Sequence, residues 1–251
     1  MQSNNPTAAI LVIGDEILSG RTHEGNAHHL AGVLAASGFD LREIRVIPDE
    51  PDVIVSAIRA FDRTLGGAVD HLFTSGGIGP THDDVTADAV ARAFGVGISV
   101  HEGARAAMAA RYDKLGVELT ENRLRMARIP HGAELIENPV SAAPGFSIGA
   151  THVMAGVPEV FRAMIDALIP RLKGGRPLVS EAWELLRGES DVAEILGAVA
   201  ADYPDLSLGS YPFTRGGRYG TNLVIRGVDG ARVAEAMAAL QSRVSAHLGA
   251  L

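Results

Sequence analysis

The regular structure of the chain opens with an unbroken apolar run, Ala8 to Ile13, closed by Gly14. Apolar residues without alternation fit a strand covered on both faces, as in a parallel sheet. From Asn26 to Ala36 the apolar residues Ala27, Leu30, Ala31, Leu34 and Ala35 recur at helical spacing, and Ser37-Gly38 ends the segment. The pattern then repeats. A strand is expected at Leu41 to Ile47 and a helix at Pro51 to Leu65, with proline in its first turn and Gly66-Gly67 behind it. A third strand, Val69 to Thr74, runs through a glycine-rich loop into a helix at Thr86 to Phe94, with Ala89, Val90, Ala93 and Phe94 on one face. Three strand–helix units in series predict an α/β fold with a doubly wound, mostly parallel sheet.

Helices are expected next at Gly103 to Leu115 and Thr120 to Ala127, then a turn at Pro130-His131-Gly132. A loop-rich stretch punctuated by Asn138-Pro139 and Ala143-Pro144-Gly145 leads to a short strand, Thr151 to Ala155, and a helix, Pro158 to Leu172. At Lys173-Gly174-Gly175-Arg176-Pro177 glycine, proline and charge coincide behind a helix end, which divides the chain into domains at 1–174 and 175–251. The second part reads as a strand, a helix (Ser190 to Ala201), strands at Leu206 to Tyr211 and Asn222 to Arg226, and a helix (Gly230 to Leu248). That is a small α+β domain, and no internal repeat or low-complexity segment interrupts either part.

Composition narrows the functions open to such a fold. With 47% hydrophobic and 21% charged residues the chain can bury a core, and its 5% aromatics leave that core to Ala, Val, Leu and Ile. A net charge of −8 disfavours nucleic-acid backbone and anionic membrane surfaces as partners, leaving small ligands and proteins. Without cysteine there is no disulfide frame, thiolate metal site or cysteine nucleophile. No apolar stretch approaches the roughly 20 residues of a spanning helix, and Met1 to Pro6 carries no signal-peptide charge, so a cytoplasmic location is expected.

The densest candidate chemistry is Thr74-Ser75-Gly76-Gly77-Ile78-Gly79-Pro80-Thr81-His82-Asp83-Asp84-Val85-Thr86, at the carboxyl end of the third strand. Open α/β sheets bind ligands at that edge. Three glycines let backbone N–H groups approach an anionic oxygen, and the helix that follows presents its positive end. The loop is neither a P-loop nor a dinucleotide fingerprint. A structural reading stands beside this one: a tight turn in which Asp84 or another polar residue caps the helix. Asp83 and Asp84 beside a phosphate would repel it unless a hard cation such as Mg²⁺ bridged them. Alternatively, only one carboxylate faces the site, Asp84 capping the helix or binding a hydroxyl and Asp83 solvated. Gly14-Asp15-Glu16-Ile17-Leu18-Ser19-Gly20 and Pro48-Asp49-Glu50 leave the same sheet edge, so acids gather at three strand ends. The nine histidines show no metal-ligand spacing. His71 reads as a strand residue, and only His82 sits within the loop. Arg123, Arg125 and Arg128 fit an exposed helix face at least as well as an anion pocket.

These segments, with Glu24-Gly25-Asn26-Ala27, Glu121-Asn122-Arg123, Ile129-Pro130-His131-Gly132-Ala133, Asn138-Pro139-Val140-Ser141-Ala142-Ala143-Pro144-Gly145-Phe146 and Ala155-Gly156-Val157-Pro158, resemble the molybdopterin-binding domain family. Within it they are most similar to the amino-terminal part of CinA-type competence/damage-inducible proteins. The part after Pro177, with Gly188-Glu189-Ser190 and Gly209-Ser210-Tyr211-Pro212, is similar to the small domain that follows there and in the pterin-binding-like half of animal FAD synthases. The resemblance implies a three-layer αβα core binding a pterin or nucleotide diphosphate at its strand ends.

It also implies one of two activities: metal-dependent cleavage of an ADP-ribose- or FAD-type diphosphate, or molybdopterin binding without hydrolysis. A structural or regulatory module is a third expectation. On this reading Asp84, Asp83 and Asp49 are catalytic, and Asp83 and Asp84 hold Mg²⁺ or another divalent cation. Gly14, Glu16, Ser19, Asn26, Ser75, Gly76, Gly77, Gly79, Pro80, Thr81, Thr86, Asn138, Gly145 and Gly156 are the ligand-binding set. A homodimer or other homo-oligomer is expected. Two departures stand out. The sequence is too short to hold the deamidase domain of the CinA type, so deamidation is not expected. The usual Pro-Gly-Pro-Pro is Ala155-Gly156-Val157-Pro158 here, which alters the pocket rim.

Overall fold

The computed structural model describes residues 5–248. They fall into two compact units, the chain passing from one to the other between Gly175 and Arg176. In the first, β1 (Thr7–Ile13), α1 (Asp15–Leu18), α2 (Asn26–Ala36), β2 (Asp40–Ile47), α3 (Pro51–Phe61), β3 (His71–Ser75) and α4 (Thr86–Phe94) form the strand–helix series. Then come β4 (Ile98–Val100), α5 (Glu102–Leu115), α6 (Glu121–Leu124), β5 (Arg128–Pro130), β6 (Glu134–Ile136), β7 (Gly145–Ile148), β8 (Thr151–Met154) and α7 (Pro158–Leu168).

The central sheet runs β2-β1-β3-β8-β7-β6. Its first four strands are parallel, and β7 and β6 complete it antiparallel. The run 8–13 is wholly apolar because both faces of β1 are covered. Ala9, Leu11 and Ile13 pack with Ile54, Ile58 and Val90 on the α3/α4 side. Ala8, Ile10 and Val12 pack with Leu30, Leu34, Phe161 and Ile165 on the α2/α7 side. The result is a three-layer αβα sandwich. The chain leaves β1 toward β2 and returns on the other side to β3, so the order reverses between β1 and β3, where such sheets open a ligand crevice beyond the strand ends.

Several expected elements change length for tertiary reasons. The helix expected to reach Leu65 stops at Phe61, because Asp62 turns inward. Its fully buried carboxylate accepts from the Thr64 N–H and hydroxyl, from Ala150 N–H at 2.9 Å and from Thr151 Oγ1 at 2.6 Å. The helices expected to reach Ala127 and Leu172 each end in a 3₁₀ turn, Arg125–Ala127 and Ile169–Arg171. Pro130 is not in a turn: it ends β5, which pairs with β4, a strand absent from the sequence reading. The stretch read as loop holds β6 and β7.

In the second unit β9 (Val179–Leu185), α8 (Ala193–Asp202), β10 (Ser207–Arg215), β11 (Arg218–Gly227) and α9 (Gly230–Leu248) form an antiparallel sheet, ordered β10-β11-β9, with both helices packed on it. Leu185, Val199, Leu223, Ile225 and Leu240 form its core. β10 runs beyond the expected Tyr211, since Pro212 is tolerated on an edge strand. The hairpin closes through Gly216-Gly217, both in the left-handed region. Among the described residues no helix is long and apolar enough to cross a membrane.

Candidate functional site

A cleft of about 490 Å³ opens beyond the carboxyl ends of β1, β3 and β8. Its floor is the glycine loop. Gly76 (φ 106°) lies against β1, where a Cβ would stand 2.1 Å from the Ile13 carbonyl oxygen. Gly77 (φ 69°) lies against α4, where a Cβ would stand 2.1 Å from Thr86 Oγ1. Any side chain at either position meets both a strained backbone and an occupied volume. Thr86 is fully buried and ties the loop down, its hydroxyl donating to the Gly76 carbonyl at 3.1 Å and its N–H to the Gly77 carbonyl at 2.9 Å. Among the described residues the N–H groups of Gly77 and Ile78 have no acceptor.

Asp84 organises the rest of the loop. One oxygen accepts from Gly79 N–H at 2.6 Å, and the other from the Thr81 N–H at 2.7 Å and the Thr81 hydroxyl. It therefore closes the loop on itself, while α4 starts after Val85 without a side-chain cap. Neighbouring Asp83 is solvated. His82 is wholly exposed, 3.9 Å from it.

Asp49, just past β2, faces the cleft from the other side. It accepts from Asp15 N–H at 2.9 Å, which anchors the start of α1. Partial burial, together with Asp15, Glu16 and Asp83, raises its carboxyl above the ordinary range, and the Asp15 N–H only partly offsets this. Glu16, Asp49, Asp83 and Asp84 all line the cleft, and among the described residues no Lys or Arg does. Among the described residues no three metal-ligating side chains converge on one point. A hard cation that keeps several waters needs only one or two carboxylates plus phosphate oxygens. The donor set here fits that kind of shared binding, not an all-protein cage.

The sequence-expected residues divide by position. Gly76, Gly77, Gly79, Pro80, Asn138 and Gly156 line the cleft with the four acids. Asn26 and Ser75 line a smaller adjoining recess. Asn26 there spends its amide on Ser75 Oγ at 2.9 Å and the Gly156 carbonyl at 2.8 Å, joining three strand-end loops. Asn138 likewise organises its own loop, donating to Ser141 and Ala143 and accepting from the Val140 and Ser141 N–H groups. Ser19, Thr81, Thr86 and Gly145 do not line the cleft. Gly145 is a packing glycine in β7, where a Cβ would meet the Val153 carbonyl. Gly14 sits beneath the Glu16 carboxylate.

The sequence reading missed the apolar wall formed by Ile78, Met126, Ala143, Pro144, Val157 and Val160. Only the glycine- and proline-rich punctuation around 139–145 signalled it. The three arginines expected on one helix, as an exposed face or an anion pocket, separate. Arg128 pairs with Asp88, Arg123 lies over the Tyr112 ring, and Arg125 turns into a crevice beside the loop.

Residues 9–174 match the family described as probable molybdopterin binding domain, and residues 177–248 match the middle domain of FAD synthase. A protein of Caldivirga maquilingensis is 38% identical over 198 residues, 76% of this chain and 76% of its own length. One of Aeropyrum pernix is 40% identical over 181 residues, 70% of this chain and 64% of its own length. The solved structure of CinA from Thermoplasma acidophilum, whose function is described as unknown, aligns with a TM-score of 0.58 at 34% identity. That alignment covers 67% of this chain and 99% of the other.

Proposed function

From the premise that this chain belongs to the molybdopterin-binding domain family, with a CinA-like core, we propose that it is a metal-dependent pyrophosphatase of nucleotide diphosphates of the ADP-ribose or FAD kind. One observation carries the reading: unpartnered N–H groups at Gly77 and Ile78 share a cleft with Glu16, Asp49 and Asp83 and with no Lys or Arg. An anion drawn to those N–H groups is repelled by those acids, and a divalent cation shared with a diphosphate removes the conflict. The match of residues 177–248 to a domain of FAD synthase supports a nucleotide ligand.

Asp49 and Asp83 would hold the cation, and a bound Mg²⁺ or similar ion would neutralise charge and make its water more acidic. The Gly77 and Ile78 N–H groups hold a diphosphate oxygen, and Asp84 keeps the loop that carries them in shape. The Ile78, Met126 and Val160 wall takes the ring of the nucleotide. Water adds to one phosphorus, the bridging P–O bond breaks, and two monophosphates leave.

The test is AMP release from ADP-ribose, FAD and NAD with Mg²⁺, Mn²⁺ or Co²⁺ and an EDTA control. Metal-dependent release that is lost in Asp49→Asn is expected, and no release from any of them overturns the reading. A second reading, molybdopterin binding without hydrolysis, draws on Asp84, whose oxygens are all spent on the loop, so that the cleft holds its shape without a metal. Pterin fluorescence titration in EDTA checks it: saturable binding beside a silent AMP assay favours it, and no binding excludes it.

A further inference from the structure

One guanidinium beside the cleft has no partner. Arg125, at the start of the 3₁₀ turn, is half-buried, its side chain makes no ion pair or hydrogen bond among the described residues, and its Nε is closed off from solvent without an acceptor. It lines a narrow crevice with Ile78, Gly79, Asp84 and Met126, and those four residues also line the main cleft. The carboxylates of the crevice are engaged elsewhere. Asp88 takes both arms of Arg128, at 2.6 and 2.8 Å, and Asp84 is held by Gly79 and Thr81. A partly desolvated cation thus sits unpaired beside the loop whose Gly77 and Ile78 N–H groups are also open.

We propose that Arg125, which lies outside the cleft in the adjoining crevice, reaches over the shared Ile78–Gly79 rim to a phosphate group held at the loop. Its planar fork takes two oxygens of one phosphate group while the Gly77 and Ile78 N–H groups hold the remainder, so the cleft selects phosphorylated ligands over their unphosphorylated counterparts. This rests on the cleft being the ligand site, but it does not require hydrolysis.

The test titrates inorganic pyrophosphate calorimetrically, once with Mg²⁺ and once in EDTA, into the wild type, Arg125→Gln and Arg125→Lys. KM and kcat for ADP-ribose are measured in parallel with metal present. Arg125→Gln should weaken pyrophosphate binding at least tenfold and raise KM more than it lowers kcat. Arg125→Lys, keeping the charge without the fork, should fall between. The thermal midpoint of the free Arg125→Gln variant should drop little, since no side-chain hydrogen bond or ion pair is lost and glutamine keeps part of the stem's packing. Unchanged pyrophosphate affinity in Arg125→Gln, or no pyrophosphate binding by the wild type with or without Mg²⁺, overturns the assignment even if AMP is released. Arg125-dependent pyrophosphate binding without AMP release sustains it and overturns the pyrophosphatase reading instead.

Discussion

Replacing Asp84 by asparagine separates a carboxylate that shapes the loop from one that only holds a metal. The native carboxylate accepts from Gly79 N–H at 2.6 Å, from Thr81 N–H at 2.7 Å and from the Thr81 hydroxyl. Asparagine is nearly the same shape but has one acceptor oxygen, so its amide nitrogen must face either the Gly79 or the Thr81 N–H. A hydrogen bond to a charged group contributes about 1.5–3 kcal/mol, and the Thr81 contacts are solvent-exposed. Losing one such bond, and the charge behind the others, should cost about 2 kcal/mol of loop order, or roughly a 30-fold rise in loop opening.

Hydrogen exchange in metal-free protein reads this directly. The Gly79 and Thr81 amides should lose roughly 30-fold in protection, while Leu72 and Phe73 in β3 change only as far as global stability does. A carboxylate acting solely on a metal would leave these amides unmoved. Unchanged exchange at both would refute the loop-closing role.

Asp49→Asn should behave in the opposite sense. The oxygen that accepts the Asp15 N–H at 2.9 Å can be kept, and a carboxylate whose proton affinity is raised in the fold is removed. Such a group destabilises the folded state as pH rises from the unfolded value of 3.8 through the folded one. The variant should therefore be more stable than wild type in urea at pH 7 with EDTA, the gain vanishing near pH 3; a loss at pH 7 contradicts the account. Asp62→Ala should cost about 3 kcal/mol or more in urea unfolding, because its buried carboxylate serves donors of Thr64, Ala150 and Thr151 that no other group can satisfy. A cost under about 1 kcal/mol would mean that water replaces them.

His152, 3.0 Å from His71, is an acid-sensitive group of the first unit, and burial lowers His71 as well. Burial first, then charge on His71 and Arg171, pushes His152 down to about 3, so it stays neutral in the fold while the unfolded chain takes up a proton below about 6.5. Stability should fall by up to about 1.4 kcal/mol per pH unit below that point on its account, and the slope should be shallower in His152→Gln. Equal slopes would clear His152 of the effect.

What the sequence disclosed follows from the range of the forces involved. The unbroken run 8–13 declared β1 because a strand covered by α3/α4 on one face and α2/α7 on the other has no polar face to show. The bounds of α2, α4 and α9 were readable because a glycine, a serine or a helix-start residue marks their ends locally. The glycine loop was readable for the same reason: Gly76, Gly77, Gly79 and Asp84 sit within nine residues and hold one another. Asp49 was reached one step less directly, through topology, since parallel strands place the ends of β1, β2 and β3 at one edge.

Illegible were the features decided by contacts distant in sequence. Asp62 ends α3 to reach Ala150 and Thr151, and β6 and β7 are too short to show a period and exist only because β8 pairs with β7. Arg125 belongs to this second kind. Its spacing from Arg123 and Arg128 fits an exposed helix face at least as well as an anion pocket, and does not show that the helix tightens into a 3₁₀ turn there and that the three arginines part toward Tyr112, the crevice and Asp88. The acids of the cleft could be counted from the sequence, but which arginine beside it stands without a carboxylate had to be found in the fold, because only the fold says which arginine is already paired.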